Sequence, residues 1–467
     1  MMKRKAASRK IIKAGVLEKL QQQLAADELA LDEPTREKHS GDKWFASSLP
    51  DAVAFPSDTA AVSRILKFAS KHQIPVTPRG AGHGYVGGCV PSKGGIALSM
   101  MRLNRIIEIS PDDFVAVVQP GVLTAQLQGE VERLRRFYPP DPASRADCSI
   151  GGNIATNAGG PRCLKYGVTR DYVLGLEVVL INGTVIRLGS RTHKNKSGFD
   201  LTKLFVGSEG MLGVVTEATL KLLPLPPYRA CLGIGFRSMP DALQTIRTIF
   251  DGGILPCALE LADAFTLAAA RKRTGSKRLD GCKAHIIVEL DGQPDSVRGD
   301  LAVLEHLVRK TPTTFIERAF GPEECEKLWS LRREFSYSLR DTGLTKLNED
   351  IVVPRGRLQE LFTFTEGLEK KHGFPVACFG HAGDGNIHVN IMVDRTQAGA
   401  EQKSYAALDE VFAKVIELGG VITGEHGIGL AKKPWWPLAA SKNLRQLHQA
   451  IKSALDPDDL LNPGKFV

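Results

Sequence analysis

The chain has 467 residues, which at roughly 100 to 200 residues per domain predicts two or three domains. Hydrophobic residues make up 43% and charged residues 24%, and no apolar run approaches the roughly 18 residues of a membrane span, so disordered, collagenous and integral membrane classes are excluded. The net charge of +9 does not indicate nucleic-acid binding, because residues 1–20 hold seven Lys or Arg against Glu18 and therefore carry +6 of it.

The eight cysteines are scattered, without a C-x-x-C pair, which predicts reduced and mostly buried thiols instead of a zinc finger or an iron-sulfur centre. The basic N-terminus lacks the apolar core of a secretory signal, so the interpretation is a cytoplasmic protein, with peripheral contact to a membrane left open. Residues 1–40 are predicted to form a basic helical arm, solvated on the surface, because Leu17, Leu20, Leu24 and Leu29 are only loosely periodic.

The α/β rhythm begins after Phe55. Pro56-Ser57-Asp58 predicts the start of a helix with Val62, Ile65, Leu66 and Ala69 at helical spacing, and a strand begins near Ile74. The proline-rich residues 222–227 predict a domain boundary. Beyond it, strand-like runs alternate with amphipathic helices, which predicts an α+β lobe with one sheet; the runs are residues 231–236, 284–290 and 376–379, and the helices are residues 239–250 and 296–308.

A first glycine-rich segment, PRGAGHGYVGG, occupies residues 78–88. Gly82, Gly84 and Gly87 have the G-x-G-x-x-G spacing of a dinucleotide fold. That motif must open a helix and be followed about 20 residues later by an acidic residue, whereas proline and glycine follow here and the position 20 beyond Gly82 is Arg102. The segment therefore predicts a loop that wraps a pyrophosphate with backbone amides, not a Rossmann fingerprint.

A second segment combines PPDPAS at residues 139–144 with SIGGNIATNAGG at residues 149–160. So many small residues are costly in backbone entropy for an ordinary loop. Either a large polar ligand packs against the exposed backbone, or this is a long surface loop. Both glycine-rich segments precede residue 170 and can converge on one cofactor.

Residues 376–391 read VACFGHAGDGNIHVNI, with apolar runs on both sides of an Asp-Gly pair. If Asp384 and Gly385 are the central residues of a type I′ turn, His381 directly faces His388 across the hairpin. Facing Cβ atoms lie roughly 4.5–5.5 Å apart, which suits two imidazoles binding one metal. The alternative is two unrelated histidines beside a turn.

A third metal ligand is available in Gly424-Glu425-His426-Gly427. Two histidines and a carboxylate with an open position are typical of a catalytic transition-metal site, for which zinc is the default and iron or manganese stays open. His426 would be a natural general base beside that metal. The alternative is a capping carboxylate next to a loop histidine.

These motifs resemble those of the flavin-binding oxidoreductases of the vanillyl-alcohol oxidase and PCMH superfamily, specifically the D-2-hydroxyacid dehydrogenase group. The resemblance runs from about residue 44 to residue 467 and includes FVGSEGMLG at residues 205–213 and LLNPGK at residues 460–465. It implies an α+β fold of the PCMH type. The expected domains are the arm (1–40), an FAD-binding domain (41–227), a substrate-binding cap (228–410) and a segment that returns to the FAD domain (411–467).

The resemblance also implies roles for individual residues. His381, His388 and Glu425 correspond to the family's metal ligands, His426 to its base, and Arg332 of Leu-Trp-Ser-Leu-Arg to the arginine that binds the substrate carboxylate, assisted by Lys346. The FAD-binding positions are Arg79, Gly80, Gly82, His83, Gly84, Gly87, Gly88, Pro142, Ser144, Gly151, Gly152, Asn153, Thr156, Asn157, Gly159, Gly160, Gly213, Val214 and Asn462. His83 replaces the Thr or Ser of many relatives, which leads to the hypothesis of FAD attached covalently through its 8α carbon.

The expected reaction is oxidation of a small D-2-hydroxy acid, such as D-lactate or glycolate, with hydride passing from C2 to flavin N5. Because the chain has no cysteine framework for iron-sulfur clusters, an external electron acceptor is expected: an iron-sulfur partner subunit, a quinone or a cytochrome. Two alternatives remain, an alkylglycerone-phosphate synthase-like FAD transferase and a non-catalytic flavin-binding subunit of a complex.

Overall fold

A computed structural model of the chain describes residue 12, residues 14–277 and residues 279–467. Residues 1–11 and 13 of the predicted basic arm, which include Lys3 and Arg4, lie outside the described residues. In chain order the strands are β1 (Leu29–Ala30), β2 (Ala52–Ala54), β3 (Val76–Arg79), β4 (Ile96–Ser99), β5 (Ile106–Ser110), β6 (Val115–Val118), β7 (Arg136–Phe137), β8 (Val173–Val179), β9 (Val185–Gly189), β10 (Val214–Lys221), β11 (Leu223–Pro224), β12 (Tyr228–Phe236), β13 (Ala258–Asp263), β14 (Ala284–Gly292), β15 (Phe315–Phe320), β16 (Thr345–Val352), β17 (Val376–His381) and β18 (Asn386–Val393).

The α-helices follow the same order. They are α1 (Ala14–Gln21), α2 (Glu33–Lys38), α3 (Thr59–His72), α4 (Thr124–Arg133), α5 (Ile150–Thr156), α6 (Cys163–Tyr166), α7 (Leu201–Phe205), α8 (Met239–Asp251), α9 (Ala264–Thr274), α10 (Pro294–Val308), α11 (Gly321–Arg340), α12 (Leu358–His372), α13 (Ala400–Glu417), α14 (Trp436–Ala439) and α15 (Lys442–Leu455). Helices and mainly antiparallel sheets are thus combined in one chain, which confirms the predicted α+β class.

The chain divides into two compact units. Among the described residues, unit 1 comprises those up to residue 159 together with residues 168–225 and 425–467, and unit 2 comprises residues 160–167 and 226–424. The predicted boundary after residue 227 lies two residues from a division of the units. The predicted boundary after residue 410 falls inside α13, a continuous helix of unit 2, and the chain leaves that unit after residue 424 instead.

Unit 1 contains a four-stranded sheet in the order β1-β2-β4-β3 and a five-stranded antiparallel sheet in the order β5-β6-β10-β8-β9. Helix α3 connects the parallel strands β2 and β3. Asp58 caps it by accepting a hydrogen bond from the Ala61 amide at 2.7 Å, and Val62 and Ile65 are buried, as the sequence predicted. The helix thus delivers β3, and the glycine-rich loop after it, to the edge of the sheet.

The N-terminal part of unit 1 differs from the predicted solvated arm. Leu17 and Leu20 are 7% and 0% exposed and pack with Leu29 in the core of the unit. The prediction of a solvated surface helix is therefore wrong for α1. A spacing of three residues puts Leu17 and Leu20 on one face of the helix, and that face packs against the four-stranded sheet.

Unit 2 contains one seven-stranded antiparallel sheet in the order β15-β12-β14-β13-β17-β18-β16. The single sheet and the strands and helices predicted for this lobe are confirmed. Helices α9 and α11 share a buried cluster with β17, in which Leu267, Leu331, Phe335 and Phe379 pack together. This packing sets α11 against the strand that ends in His381.

The eight cysteines, all among the described residues, form no disulfide, and six of them are buried, in line with the predicted mostly buried thiols. Among the described residues, the helices are all too short or too polar to cross a lipid bilayer.

Candidate active site

In unit 1 the two glycine-rich segments meet. A Cβ atom placed on Gly80 would lie 2.4 Å from the Ser149 hydroxyl and 3.4 Å from the Gly152 amide nitrogen, so a side chain at residue 80 would force the segments apart. The loop from Gly80 to Gly95 contains no helix, which confirms that it is not a Rossmann motif. The first loop and the second segment therefore form one backbone-rich surface in this unit.

Part of the second segment is a short helix, α5. Ser149 caps α5, accepting a hydrogen bond from the Gly152 amide at 3.3 Å, and Asn157 ends the helix in the left-handed conformation with a φ of 53°. The surface-loop alternative is therefore wrong for residues 149–157. Its small residues allow close packing, since a Cβ on Gly151 would lie 2.5 Å from the Cβ of Pro120.

Several of the predicted FAD-binding side chains already have partners within unit 1. Asn153 donates to the Thr124 hydroxyl at 2.7 Å, and Asn157 accepts from the Arg170 amide at 2.8 Å. The Thr156 hydroxyl donates to the Gly152 carbonyl at 3.2 Å. These side chains fix the shape of the segment, which leaves backbone groups as its contribution to ligand binding.

Arg79 has a similar role in the first loop. Its guanidinium group donates to the Gly41 carbonyl, contacts the Cys89 sulfur at 3.1 Å and folds directly over Gly82. A positive charge is thereby held beside the glycine-rich backbone, where an anionic group would be stabilised.

The remaining predicted FAD positions are spread over unit 1 and the start of unit 2. Pro142 and Ser144 form the turn before Cys148, and Gly213 and Val214 lie where β10 begins. Gly159 is the last residue of the first stretch of unit 1, and Gly160 belongs to unit 2. His83 lines a cavity of about 350 Å³ in unit 1 together with Lys43 and Arg79. Burial and the Lys43 charge lower the pKa of His83, which favours its neutral, nucleophilic form.

Asn462 ties the C-terminal segment to the first loop. Its side-chain amide donates to the carbonyls of Gly88 at 2.8 Å and Glu209 at 2.7 Å, and its backbone amide donates to the Val76 carbonyl at 2.7 Å. Asn462 thus stabilises the first loop, from which it is remote in sequence, by hydrogen bonds.

Glu209 was not singled out by sequence reasoning, although it lies in the FVGSEGMLG motif. Its buried carboxylate accepts from the amides of Ile428 at 2.7 Å and Gly429 at 2.9 Å. Burial raises the pKa of Glu209 despite these two bonds. The carboxylate fixes the backbone immediately after His426, whose imidazole lies 5.3 Å from the ring of Tyr85.

In unit 2 the histidine hairpin has a different register from the one predicted. His381 pairs with Asn386 and Phe379 pairs with His388, so four residues form the loop and the two histidines are not directly opposite each other. The reason is tertiary: the Asn386 side chain donates to Asp350 at 2.7 Å and to the Ile351 carbonyl at 2.9 Å, which fixes β18 against β16.

The two histidines nevertheless share one face of the sheet. Residues Asn386 and His388 are two positions apart on one strand, so both point to the side on which His381 lies. The imidazole centroids of His381 and His388 are 5.6 Å apart with an interplanar angle of 79°, and both residues are less than 9% exposed.

A buried carboxylate that sequence reasoning missed lies beside them. Glu260 accepts a hydrogen bond from Nδ1 of His381 at 2.6 Å and another from Nε of Arg332 at 2.6 Å. Burial would raise the pKa of Glu260, but the charges of His381 and Arg332 lower it to about 2. One signal was present in the sequence, since Glu260 interrupts the apolar run Ala-Leu-Glu-Leu-Ala of residues 258–262.

Arg332 lies on α11 as predicted, with a side chain that is 12% exposed. The guanidinium carbon lies 4.8 Å from the centre of the Phe379 ring, which fixes the plane of the group. Within the described part of the chain only its Nε is hydrogen-bonded, so both terminal nitrogens can bind a ligand carboxylate.

Lys346 is on β16 of the same unit. Its ammonium group donates to the hydroxyl of Ser336, one turn beyond Arg332 on α11, at 2.8 Å. Burial, assisted by the charge of Arg340, lowers the pKa of Lys346 to about 8. The structure therefore brings Arg332, Lys346, His381 and His388 into one unit.

Glu425 is the first residue of the last segment of unit 1, and chain connectivity limits its position. The preceding residue, Gly424, donates its amide hydrogen to Asp350 at 2.9 Å, and Asp350 is the cross-strand partner of His388. Consecutive Cα atoms are 3.8 Å apart, so the backbone of Glu425 begins next to that anchored residue.

Comparison with known proteins gives two family matches. Residues 50–189 match the model described as "FAD binding domain", and residues 225–466 match "FAD linked oxidases, C-terminal domain". The chain is 41% identical over 419 residues to the glycolate oxidase subunit GlcD of Bacillus subtilis, covering 90% of this chain and 89% of the relative. It is 35% identical over 432 residues to a D-lactate dehydrogenase of Anaerostipes hadrus, covering 90% of each.

Among solved structures, p-cresol methylhydroxylase matches with a TM-score of 0.80 at 17% identity, covering 97% of each chain. An alkyldihydroxyacetonephosphate synthase matches with a TM-score of 0.75 at 18% identity, covering 97% of this chain and 85% of the other. At such identities the likeness extends to the fold alone.

Proposed function

This chain belongs to the FAD-linked oxidases, in the D-2-hydroxyacid group of the vanillyl-alcohol oxidase and PCMH superfamily, and we propose that it oxidises a small D-2-hydroxy acid to the 2-oxo acid. The substrate class that fits is D-lactate, glycolate or a hydroxy acid of similar size. The two relatives described above, a glycolate oxidase subunit and a D-lactate dehydrogenase, support this class.

The observation that carries the proposal is the cluster around Glu260. One buried carboxylate is bonded to a histidine suited to a metal and to an arginine suited to a carboxylate. A 2-hydroxy acid offers both matching groups on neighbouring carbons, a carboxylate for Arg332 and a hydroxyl for a metal. Guanidinium donors match two carboxylate oxygens, and a metal lowers the pKa of a bound oxygen.

The glycine-rich surface of unit 1 fits FAD. The close approach of Gly80 to Ser149 and Gly152 leaves backbone amides, without intervening side chains, to face a pyrophosphate. Arg79 supplies a nearby positive charge. The residues proposed to hold FAD are those predicted from the sequence, with Asn153, Asn157 and Asn462 acting through the backbone segments that they fix.

The histidine pair fits a divalent metal, with zinc as the first choice. A separation of 5.6 Å between the imidazole centroids allows both rings to bind one ion at about 2.0–2.1 Å. Since Nδ1 of His381 is bonded to Glu260, its Nε2 would be the atom available to a metal. We assign Glu425 as the third ligand, because Gly424 anchors the backbone before it.

Bound FAD would accept the hydride from C2, and a bound metal would acidify the substrate hydroxyl. Arg332 and Lys346 orient the substrate by binding its carboxylate. His426 removes the proton of the 2-hydroxyl, and its backbone is kept in place by the carboxylate of Glu209. Binding and proton transfer are thereby assigned to different residues.

His83 is proposed to attach FAD covalently, because its neutral imidazole lies in the cavity of unit 1. Reduced flavin then needs an external acceptor, for which we propose an iron-sulfur partner subunit, a quinone or a cytochrome.

The test is a panel of D- and L-2-hydroxy acids added anaerobically to the purified holoprotein. We expect the flavin absorbance to bleach with glycolate or with one or more D-acids, and to persist with the L-enantiomers of the chiral acids. Persistence of the oxidised flavin with every acid would refute the proposal and would favour the transferase or a non-catalytic subunit.

A further inference from the structure

Glu260 has both of its carboxylate oxygens engaged by functional side chains. Oε1 accepts from Nδ1 of His381 and Oε2 accepts from Nε of Arg332, each at 2.6 Å, and the residue is 1% exposed. We propose that Glu260 is a positioning residue that aligns the metal-binding histidine with the arginine that binds the substrate carboxylate. This inference rests on the proposed function and adds a residue to its site.

Strand register and helix packing place His381 and Arg332 beside Glu260. Strand β13 pairs with β17 in the register Leu261 to Gly380, so Glu260 and His381 are the next cross-strand neighbours. Facing side chains in an antiparallel pair are close enough for a direct hydrogen bond. Arg332 comes from α11, which packs against the same strands through Leu331 and Phe335.

The bond to His381 determines the chemistry of the imidazole. An ionised carboxylate can only accept, so Nδ1 donates the hydrogen of this bond, which leaves Nε2 as the nitrogen that can give up its proton to bind a metal. A carboxylate behind a metal-bound histidine also fixes the ring orientation and raises the basicity of the ligand. Without Glu260 the ring could adopt either tautomer, and the metal site would lose preorganisation.

The bond to Arg332 acts on substrate orientation. Glu260 binds the Nε of Arg332, and the Phe379 ring fixes the plane of the guanidinium group. The two terminal nitrogens of Arg332 are therefore held in one orientation. One rigid carboxylate thus sets the distance between the site of the substrate carboxylate and the site of its hydroxyl. A glutamine cannot replace it, because its amide group has one acceptor oxygen for two donors.

The test compares Glu260→Gln with Glu289→Gln. Glu289 is an equally buried carboxylate on β14 of the same sheet, but its partners are Arg162, at 3.1 Å, and the Trp329 indole. Both substitutions remove a buried charge beside an arginine, so both are expected to reduce stability. Only Glu260→Gln is expected to change the metal and substrate sites.

Four quantities are measured on the FAD-loaded full chain: zinc affinity by competition with a chelator, KM and kcat for the hydroxy acid that bleaches the flavin, and FAD content by absorbance. For Glu260→Gln we expect zinc affinity to fall about 10- to 100-fold. We also expect KM to rise by about tenfold or more, with FAD content unchanged. For Glu289→Gln, zinc affinity and KM should equal those of the wild type.

Wild-type zinc affinity and KM in Glu260→Gln would overturn the role of Glu260, and so would equal losses in Glu289→Gln. If Glu260→Gln does not fold, Glu260→Asp takes its place: it keeps the charge but is too short to reach both partners, and the same losses are expected. A wild-type protein that binds no zinc and is bleached by no hydroxy acid would instead refute the proposed function, and with it this inference.

Discussion

The ammonium group of Lys346 donates a hydrogen bond to the hydroxyl of Ser336 at 2.8 Å, which joins β16 to the helix that carries Arg332. Burial lowers the pKa of Lys346 to about 8, aided by the charge of Arg340. If Lys346 binds the substrate carboxylate, its charge is present below pH 8 and is lost as the pH rises through that value. We therefore expect KM for the hydroxy acid to increase above about pH 8, measured from pH 6.5 to 10.

The matched variant for this prediction is Lys346→Arg. Arginine stays protonated over the whole range, so the alkaline increase in KM should disappear even if the absolute KM changes. An unchanged alkaline increase in Lys346→Arg would assign the titration to another group.

Substitution of His426 tests the proposed base. His426→Asn should slow anaerobic flavin reduction by about 10²- to 10⁴-fold, the usual contribution of general base catalysis. FAD content should stay the same, because His426 is not among the residues proposed to hold FAD. His448→Asn on α15 is the control, since His448 contacts Trp436 and Phe466 instead. Normal single-turnover reduction in His426→Asn would remove this residue from the mechanism.

Metal removal tests the histidine pair. Dialysis against a chelator should suppress flavin reduction by the substrate without releasing FAD, and addition of Zn²⁺, Mn²⁺ or Fe²⁺ should identify the ion that restores it. His388→Asn should lower the metal content measured by elemental analysis, because one of two imidazole ligands is lost. His306→Asn, an exposed change on α10, should keep the wild-type content. Full activity after verified removal of metal would contradict the metal site.

The covalent attachment at His83 has a direct assay. Acid precipitation of the holoprotein should leave the yellow flavin in the pellet, and His83→Ser should release it into the supernatant. Complete release of flavin from the wild type would refute the covalent bond while leaving the FAD site intact.

A buried ion pair anchors the C-terminal part of unit 1. The ammonium group of Lys452 donates to Asp456, to the Leu461 carbonyl at 2.7 Å and to the Met211 carbonyl at 3.0 Å, and both charged residues are at most 2% exposed. Lys452→Met leaves the Asp456 charge buried without its partner, which should cost about 3–5 kcal/mol in urea unfolding. Lys442→Met, on the exposed start of the same helix, should change stability by no more than about 0.5 kcal/mol. Equal effects of the two substitutions would contradict this account.

Local patterns in the sequence were sufficient to predict many of the helices and strands. The capped helix α3 and the single sheet of unit 2 follow from side-chain periodicity and turn residues, which depend on near neighbours in the chain. The first glycine-rich loop could be distinguished from a Rossmann motif because the residues after it break helices.

Long-range contacts account for what local signals could not predict. The hairpin register depends on bonds from Asn386 to Asp350 and Ile351, about 35 residues away, and these outweigh the preference of Asp-Gly for a two-residue turn. Glu260 is 121 residues from His381, so only the sheet order reveals their pairing. The burial of Leu17 likewise depends on a partner surface that the helix pattern alone does not contain.

The bond from the Val76 amide to the Leu460 carbonyl, at 2.8 Å, has a consequence for biosynthesis. Leu460 supports the strand that leads into the first glycine-rich loop, yet it is translated long after Val76. At about 5–20 residues per second, this delay is on the order of 20 to 80 s. During this time the strand before the first glycine-rich loop lacks its bond to Leu460. We therefore expect FAD to bind after the chain is released from the ribosome.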